Sequence, residues 1–460
     1  MKRIAIIGGG IAGLTGAYEL SRLASNGAAI EAVLFEASPR LGGIVETVRE
    51  GGFVIECGPD AWVTEKPWAR ELAEELGLAD ELMPSNDATR KTYILMDGQL
   101  KAMPDGMRMM VPSNLHALDQ SGLFSAEAKA AFHAEVNRAA DLKAAAPQHD
   151  ESVAAFIKRH FGHEVLDTIG APLLRGVFGG DVTKLSVRAV MAPFVAMERE
   201  HGSLIAAMQA NAASSKSTPS AIFTTLTSGL GTLVDSMIAT IPKDWIRLGT
   251  NIHSISRHND LWELRTSSAQ ESFDAVIMAT PAHMARKLLA AIDDRATALM
   301  EMDASSAVVV AFGYPNATSL HTPPGFGFLV PQGSGSRLLA CTFMDQKFGH
   351  RVPQNGKLIR AFFGGDAAER LMRCGNDEVS SIARLELAHI LGPLPEPQVT
   401  VVRRWPKSLP QYAVGHLERM KELDERIRSL NGLYLLGNGY RGVGLPDLIR
   451  DARTAAQQSI

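Results

Sequence analysis

Arg3-Ile4-Ala5-Ile6-Ile7-Gly8-Gly9-Gly10-Ile11-Ala12-Gly13 is the stretch that decides the fold. Residues 3–7 are an apolar, β-branched run, as in a strand buried on both faces. Residues 11–23 then place apolar side chains at helical spacing, and 32–35 form a second apolar run closed by Glu36. The order is strand, glycine turn, helix, strand. Within it the glycines have the spacing G-x-G-x-x-G. Gly8 allows the tight turn, Gly10 lets backbone approach a pyrophosphate, and Gly13 lets the helix pack closely on the sheet. The helix N-terminus offers unpaired N–H groups and a positive dipole end to phosphates. An acidic residue roughly 20 positions on accepts hydrogen bonds from ribose hydroxyls, and Glu36 stands there.

Arg40-Leu41-Gly42-Gly43 follows at once. A cation just after the ribose acid can neutralise pyrophosphate charge, and Gly42 and Gly43 let the loop pass close to a dinucleotide. A plain NAD domain has no need of this segment, so the reading moves to FAD. Farther on, Ala279-Thr280-Pro281 ends an apolar run with small residues, as a strand end against a nucleotide does. Ile252 can present backbone to the adenine, with ordinary core packing as the alternative. Trp405, closing a strand over 399–405, joins the expected cofactor set. Near the C-terminus stands Gly437-Asn438-Gly439-Tyr440-Arg441-Gly442-Val443-Gly444, between a strand and a helix. This loop, with Gly437, Asn438, Gly442 and Val443, is expected to face the flavin and stabilise negative charge on its reduced form.

The totals agree with an ordinary globular protein. The chain has 460 residues, 46% apolar and 21% charged, with a formal net charge of −4. Two or three domains are expected at this length, and a nucleic-acid partner is not. Three cysteines, Cys57, Cys341 and Cys374, lie far apart with no C-x-x-C. They are expected to be inert thiols of a reducing compartment rather than a disulfide, zinc or redox site. The motif begins so near Met1 that no signal peptide is expected. No stretch is long and apolar enough for a membrane span. The methionines Met103, Met107, Met109 and Met110 leave peripheral membrane contact open, against core packing.

The strands at 4–7, 33–36, 275–279 and 433–436 are expected to share one nucleotide-binding sheet. Residues 46–56 predict a hairpin about Gly51-Gly52, and 92–100 another about Asp97-Gly98. Helices are expected over 67–82, 125–145, 377–391 and 445–458. Residues 113–240 read as mostly helical, with an exposed loop at 214–220. Strands return between 245 and 280 and between 305 and 363.

The two glycine signatures resemble those of the flavin-containing amine oxidase, phytoene desaturase and protoporphyrinogen oxidase superfamily. Interior segments are similar to the porphyrinogen oxidases: PLLRGVFGGDVTKLSVRAV at 172–190, MEREHGSLI at 197–205, TSGLGTLVDSM at 227–237, GFGFLVP at 325–331 and GNGYRGVGLPD at 437–447. The resemblance covers almost the whole chain. It implies an α/β fold: a doubly wound, Rossmann-like FAD domain, a mixed-sheet substrate domain and an inserted helical domain. The expected parts are FAD-binding 1–90, substrate-binding 91–112, helical 113–228, FAD-binding 229–290, substrate-binding 291–414 and FAD-binding 415–460.

It further implies oxidation of a porphyrinogen to a porphyrin, in three two-electron hydride transfers to flavin, with molecular oxygen as the reoxidant. Gly176 and Gly179 match turn glycines beside the macrocycle, and Leu329 and Phe362 match apolar residues that sandwich it. Plant and animal members carry an arginine for a propionate at the position of Thr92. Here Arg90 and Lys91 precede that position and are the expected substrate cations, with Arg175 a further candidate. No general base is named. Protoporphyrinogen IX and coproporphyrinogen III are both open, as are a homodimer and peripheral attachment of a cytoplasmic protein. The rival is an amine oxidase or carotenoid desaturase on the same fold. A covalent-flavin amine oxidase would want a cysteine near the C-terminal loop, and none follows Cys374.

Overall fold

The computed structural model describes residues 1–214, 221–316 and 320–460. Among them, five short strands make one parallel sheet in the order Ile246–Arg247, Ile30–Phe35, Lys2–Ile7, Ala275–Met278, Leu433–Leu435. Register places Ile4 beside both Ala32 and Ala275. The sheet thus gathers segments from both ends and the middle of the chain, as the apolar runs predicted. Strand Lys2–Ile7 is central and apolar on both faces, because helices cover one side and the antiparallel strands Ser254–His258, Leu261–Arg265 and Gln270–Phe273, with further helices, cover the other. Helix Ile11–Ser25 is buried around its circumference over its first eleven residues. It lies between the sheet and helix Leu445–Gln458.

A second sheet is mixed and runs Val399–Pro410, Ala304–Tyr314, Lys357–Phe363, Ala340–Phe343, Gly327–Leu329, Thr92–Met96, Gln99–Ala102. Its one parallel pairing among the described residues joins Gly327–Leu329 to Thr92–Met96. Strand Val399–Pro410 extends beyond the expected end at 405. It tolerates Pro406 and Pro410 because it is an edge strand, where missing N–H donors can face outward. One face of this sheet packs on helices Gly365–Leu371 and Asn376–Leu391.

The helical part has its own core, in which Phe132, Phe156 and Phe161 are buried. Met110 is fully buried there, and Met103, Met107 and Met109 pack against it. The methionine-rich segment is therefore core.

Three local expectations differ from the structure. Helix Trp68–Glu75 stops short, because Gly77 adopts φ +76° and turns the chain. The helix expected over 125–145 is two helices, Ala126–Asn137 and Ala139–Ala144, broken at Arg138. Phe223–Leu226, inside the stretch read as helical, is a strand paired with Trp62–Val63 and Leu82–Pro84. Of the loop expected at 214–220, Ser214 ends helix Leu204–Ser214 and the remainder lies outside the described residues.

Candidate active site

At the carboxyl ends of the parallel strands lies a cavity of about 370 Å³. Gly8, Gly10, Glu36, Gly42, Gly43, Ile252, Thr280, Trp405, Gly437 and Asn438 all line it. The structure therefore brings together ten residues that were singled out on sequence grounds. A crevice at the strand ends is where open α/β sheets bind nucleotides.

The glycines divide by role. A Cβ on Gly13 would stand 1.9 Å from the Gly8 carbonyl oxygen and 3.1 Å from the Ala279 Cβ. Gly13 is thus required by helix-on-sheet packing and does not line the cavity. A Cβ on Gly10 would meet nothing nearer than the Gly43 Cα at 4.0 Å. The protein leaves that space open, as close approach of a pyrophosphate to backbone demands. Gly42 pairs with this turn, its N–H donating to the Gly9 carbonyl at 2.8 Å. A Cβ on Gly43 would come 3.0 Å from the Gly10 Cα. Two glycine loops thus lie back to back.

Glu36 organises the ribose end. The Gly9 N–H donates to its Oε2 at 2.6 Å and the Ser38 N–H to its Oε1 at 2.7 Å. Each carboxylate oxygen has a second lone pair, so both can also accept a ribose hydroxyl. Thr280 stands on the cavity wall, and its buried Oγ1 has no hydrogen-bond partner within the protein. The open space at Gly10 and the carboxylate of Glu36 together fit an adenine dinucleotide.

Four residues of the expected set stand outside the cavity wall. Gly13 lies beneath it. Arg40 bonds the carbonyls of Leu41 and Gly43 and lies 3.4 Å from Glu46, its guanidinium over the Trp405 ring. It shapes the second glycine loop from behind. Gly442, at φ +147°, donates its N–H to the Tyr412 hydroxyl at 3.0 Å, and Val443 is half-buried beside it. Sequence reasoning missed Met284, Pro406, Lys407 and Ser408, which line the cavity. Lys407 has a left-handed backbone at φ +48°, held by a hydrogen bond from its N–H to Ser306 Oγ at 3.1 Å. It is a cation on the cavity wall, and its only sequence sign was its place after Trp405-Pro406.

The mixed sheet carries the other expected residues. Leu329, Ala340 and Phe362 are successive cross-strand partners, so their side chains share one face. A Cβ on Gly176 would touch Leu329 at 3.6 Å. Gly179 has φ +65° and ends helix Ala171–Phe178, its carbonyl accepting from Ser305 Oγ at 2.7 Å. Gly176, Leu329 and Phe362 are thus brought to one side of the sheet. Arg90 is exposed, 3.6 Å from Asp87. Lys91 lines a separate open groove with Lys101, Met103 and Gln120. Arg175 bonds Gln332.

The cation on the Phe362 face is Arg360, two residues away on the same strand. Its guanidinium lies 5.0 Å from the Phe362 ring centroid. It bonds the Gly58 carbonyl and lies 3.2 Å from Asp60. Lys347 meets the same carboxylate at 3.0 and 3.1 Å. Burial pushes the Asp60 carboxyl up, but Lys347 and Arg360 outweigh it and hold it at about 2. Two cations meet one carboxylate here, and the buried Arg351–Glu56 pair lies alongside. A lone arginine has no sequence signature for such a place.

Comparison with known proteins agrees with this geometry. A family model described as flavin containing amine oxidoreductase matches residues 11–460. The chain belongs to this family, and FAD is its cofactor. A coproporphyrinogen III oxidase of Bacillus subtilis (strain 168) is 32% identical, covering 100% of this chain and 98% of its own. The chloroplastic protoporphyrinogen oxidase 1 of Spinacia oleracea is 27% identical, covering 99% and 83%. A crystal structure of an Exiguobacterium sp. 255-15 protein superposes with a TM-score of 0.87 at 31% identity, covering 99% and 98%. A putrescine oxidase structure at 15% identity and TM-score 0.69, covering 99% and 98%, shows the same fold. The chain is accordingly a flavin-dependent oxidoreductase. Among its described residues no group could hold a metal ion, and no helix is long and apolar enough to cross a membrane.

Proposed function

We propose that the chain oxidises a porphyrinogen to a porphyrin, with coproporphyrinogen III the favoured substrate and protoporphyrinogen IX the second reading. One observation carries this. The mixed sheet that presents Leu329, Ala340 and Phe362 on one face also sends Trp405, Pro406, Lys407 and Ser408 into the FAD cavity. An apolar surface for a tetrapyrrole is therefore built on the same scaffold as the flavin site. The names of the bacterial relatives favour coproporphyrinogen III, and the spinach relative supports the alternative.

FAD, when bound, supplies a hydride acceptor at its N5. The chain's own residues bind and orient. Gly10, Gly43 and Glu36 receive the pyrophosphate and ribose, with Thr280 on the same wall. Leu329 and Phe362 hold the macrocycle by apolar contact and exclude water. Arg360 and Lys347 supply positive charge beside it, suited to a carboxylated substrate. Three two-electron oxidations remove six hydrogens from the porphyrinogen and reduce three molecules of oxygen to peroxide. No side-chain nucleophile is needed.

The test is anaerobic mixing of the FAD-loaded protein with each porphyrinogen in turn. Bleaching of the oxidised flavin band, then porphyrin fluorescence on admission of air, is the expected result. The substrate that bleaches faster decides between the two. Flavin that stays oxidised with both overturns the proposal.

A further inference from the structure

The loop that joins the last parallel strand to the last helix satisfies little of its own backbone, the Tyr440 N–H reaching the Gly437 carbonyl at 3.4 Å. Gly437 has φ +138° and Gly442 φ +147°, so residues 437–442 form neither helix nor strand. Buried N–H and C=O groups there need partners from elsewhere. Two side chains provide them. The Tyr412 hydroxyl donates to the Asn438 carbonyl at 2.6 Å and accepts from the Gly442 N–H at 3.0 Å. His416 Nε2 donates to the Tyr440 carbonyl at 3.1 Å. Backbone groups at alternate residues 438, 440 and 442 are thus fixed by one pair of rings. The rings stack, with centroids 3.9 Å apart and planes at 10°. Tyr412 is 3% exposed and His416 is fully buried.

The segment that carries these rings is anchored at its other side to the helical part. The Ser186 N–H donates to the Tyr412 carbonyl at 2.7 Å, and the Val414 N–H to the Lys184 carbonyl at 2.9 Å. The Gly415 N–H donates to Asp150 Oδ2 at 2.9 Å. Gln411 Nε2 donates to the Phe178 carbonyl at 2.7 Å, next to Gly179. Residues 411–416 therefore bridge the turn at 178–180 and the loop that places Gly437 and Asn438 on the cavity wall.

We propose that Tyr412 and His416 are positioning residues for the flavin: they act through loop 437–442 and hold it in the shape FAD binds. This rests on reading the Gly10 cavity as the FAD cradle. Neither ring lines the cavity, so the effect is indirect. A loop fixed in advance binds with less ordering cost.

The experiment uses full-length FAD-free protein titrated with FAD, together with its thermal unfolding with and without FAD. Tyr412→Phe keeps the ring and removes both loop hydrogen bonds. It is expected to weaken FAD binding about 10-fold, equivalent to about 1.4 kcal/mol. His416→Leu is expected to do the same, and His416→Gln, which retains a donor, to recover most of the loss. Both variants should lose some FAD-free stability, because buried loop groups go unpaired, and the stabilisation gained from FAD should shrink in addition. An FAD affinity within about two-fold of the unsubstituted protein for Tyr412→Phe overturns the proposal. So does an equal fall in the melting temperature of FAD-free and FAD-loaded forms, the mark of a general structural role. Gly10→Ala separates the two readings. If it keeps FAD, the cradle assignment fails. If it loses FAD while Tyr412→Phe keeps it, the positioning role alone fails.

Discussion

Arg403 holds both oxygens of Glu46, its Nε at 3.0 and 2.9 Å and its Nη2 at 2.6 Å from Oε1. Glu46 follows the second glycine loop, and Arg403 lies two residues before Trp405, so the pair fastens the FAD domain to the edge strand of the mixed sheet. The hydrogen bonds from Arg403 keep the Glu46 carboxyl below its ordinary 4.5, outweighing burial. Glu46→Gln is expected to cost about 1–3 kcal/mol, the range for hydrogen bonds to charged groups, read by urea unfolding. The sign with pH follows. A depressed carboxyl stabilises fully above its unfolded value and loses that contribution as pH falls through its folded one. The difference between parent and variant should therefore shrink below about pH 4.5.

Gly10 and Gly13 should separate cofactor binding from folding. Gly13→Ala drives a methyl into the Gly8 carbonyl and is expected to reduce the yield of folded protein sharply. Gly10→Ala has open space around its Cβ. It should melt like the parent without FAD and fail to retain the yellow cofactor on gel filtration. Equal damage to FAD-free stability by both substitutions would contradict this division.

Thr280→Val removes a buried hydroxyl that has no partner in the protein. The FAD-free variant is expected to be as stable as the parent or up to about 1 kcal/mol more stable, since an unsatisfied polar group is replaced by a methyl. FAD affinity should fall a few-fold. Calorimetric titration reads the second effect and thermal melting the first.

His416 predicts an acid-side loss of stability. Burial pulls its imidazole down to about 4, with Arg419 acting in the same direction and Tyr440, Asp150 and Glu418 opposing. Because its folded value lies below the ordinary 6.5, the unfolded chain binds the extra proton first. The stability contributed by neutral His416 is full above about pH 6.5, declines as pH falls, and is exhausted near pH 4. His416→Gln should flatten the melting-temperature profile across this window, and identical slopes in parent and variant would refute the assignment.

The FAD site was legible because its demands fall on residue types that little else can replace. Gly8, Gly10, Glu36, Gly42 and Gly43 are dictated locally by turn geometry and phosphate approach. The strand at 275–279 was legible as a continuous apolar run. Phe223–Leu226 was not: it is four residues long, and its partners at 62–63 and 82–84 are remote in sequence. The break at Arg138 was hidden by alanines that favour helix on either side. Tyr412, His416 and Arg360 carried no local sign, and Lys407 only its place after Trp405-Pro406, because each acquires its role from a segment folded against it. Thr92 signalled only that a familiar cation was missing, not where another stood.

The parallel sheet has a consequence for the order of events during synthesis. Its strand Lys2–Ile7 is made well before its neighbour at Ala275–Met278, and Leu433–Leu435 follows later still. Parallel pairings of such sequence separation form slowly and late. An interrupted chain would expose the apolar strand Lys2–Ile7 on one flank and have no wall at Gly437 and Asn438. Flavin capture therefore waits on the loop at 437–442, and the yellow colour of a preparation counts molecules that have folded it.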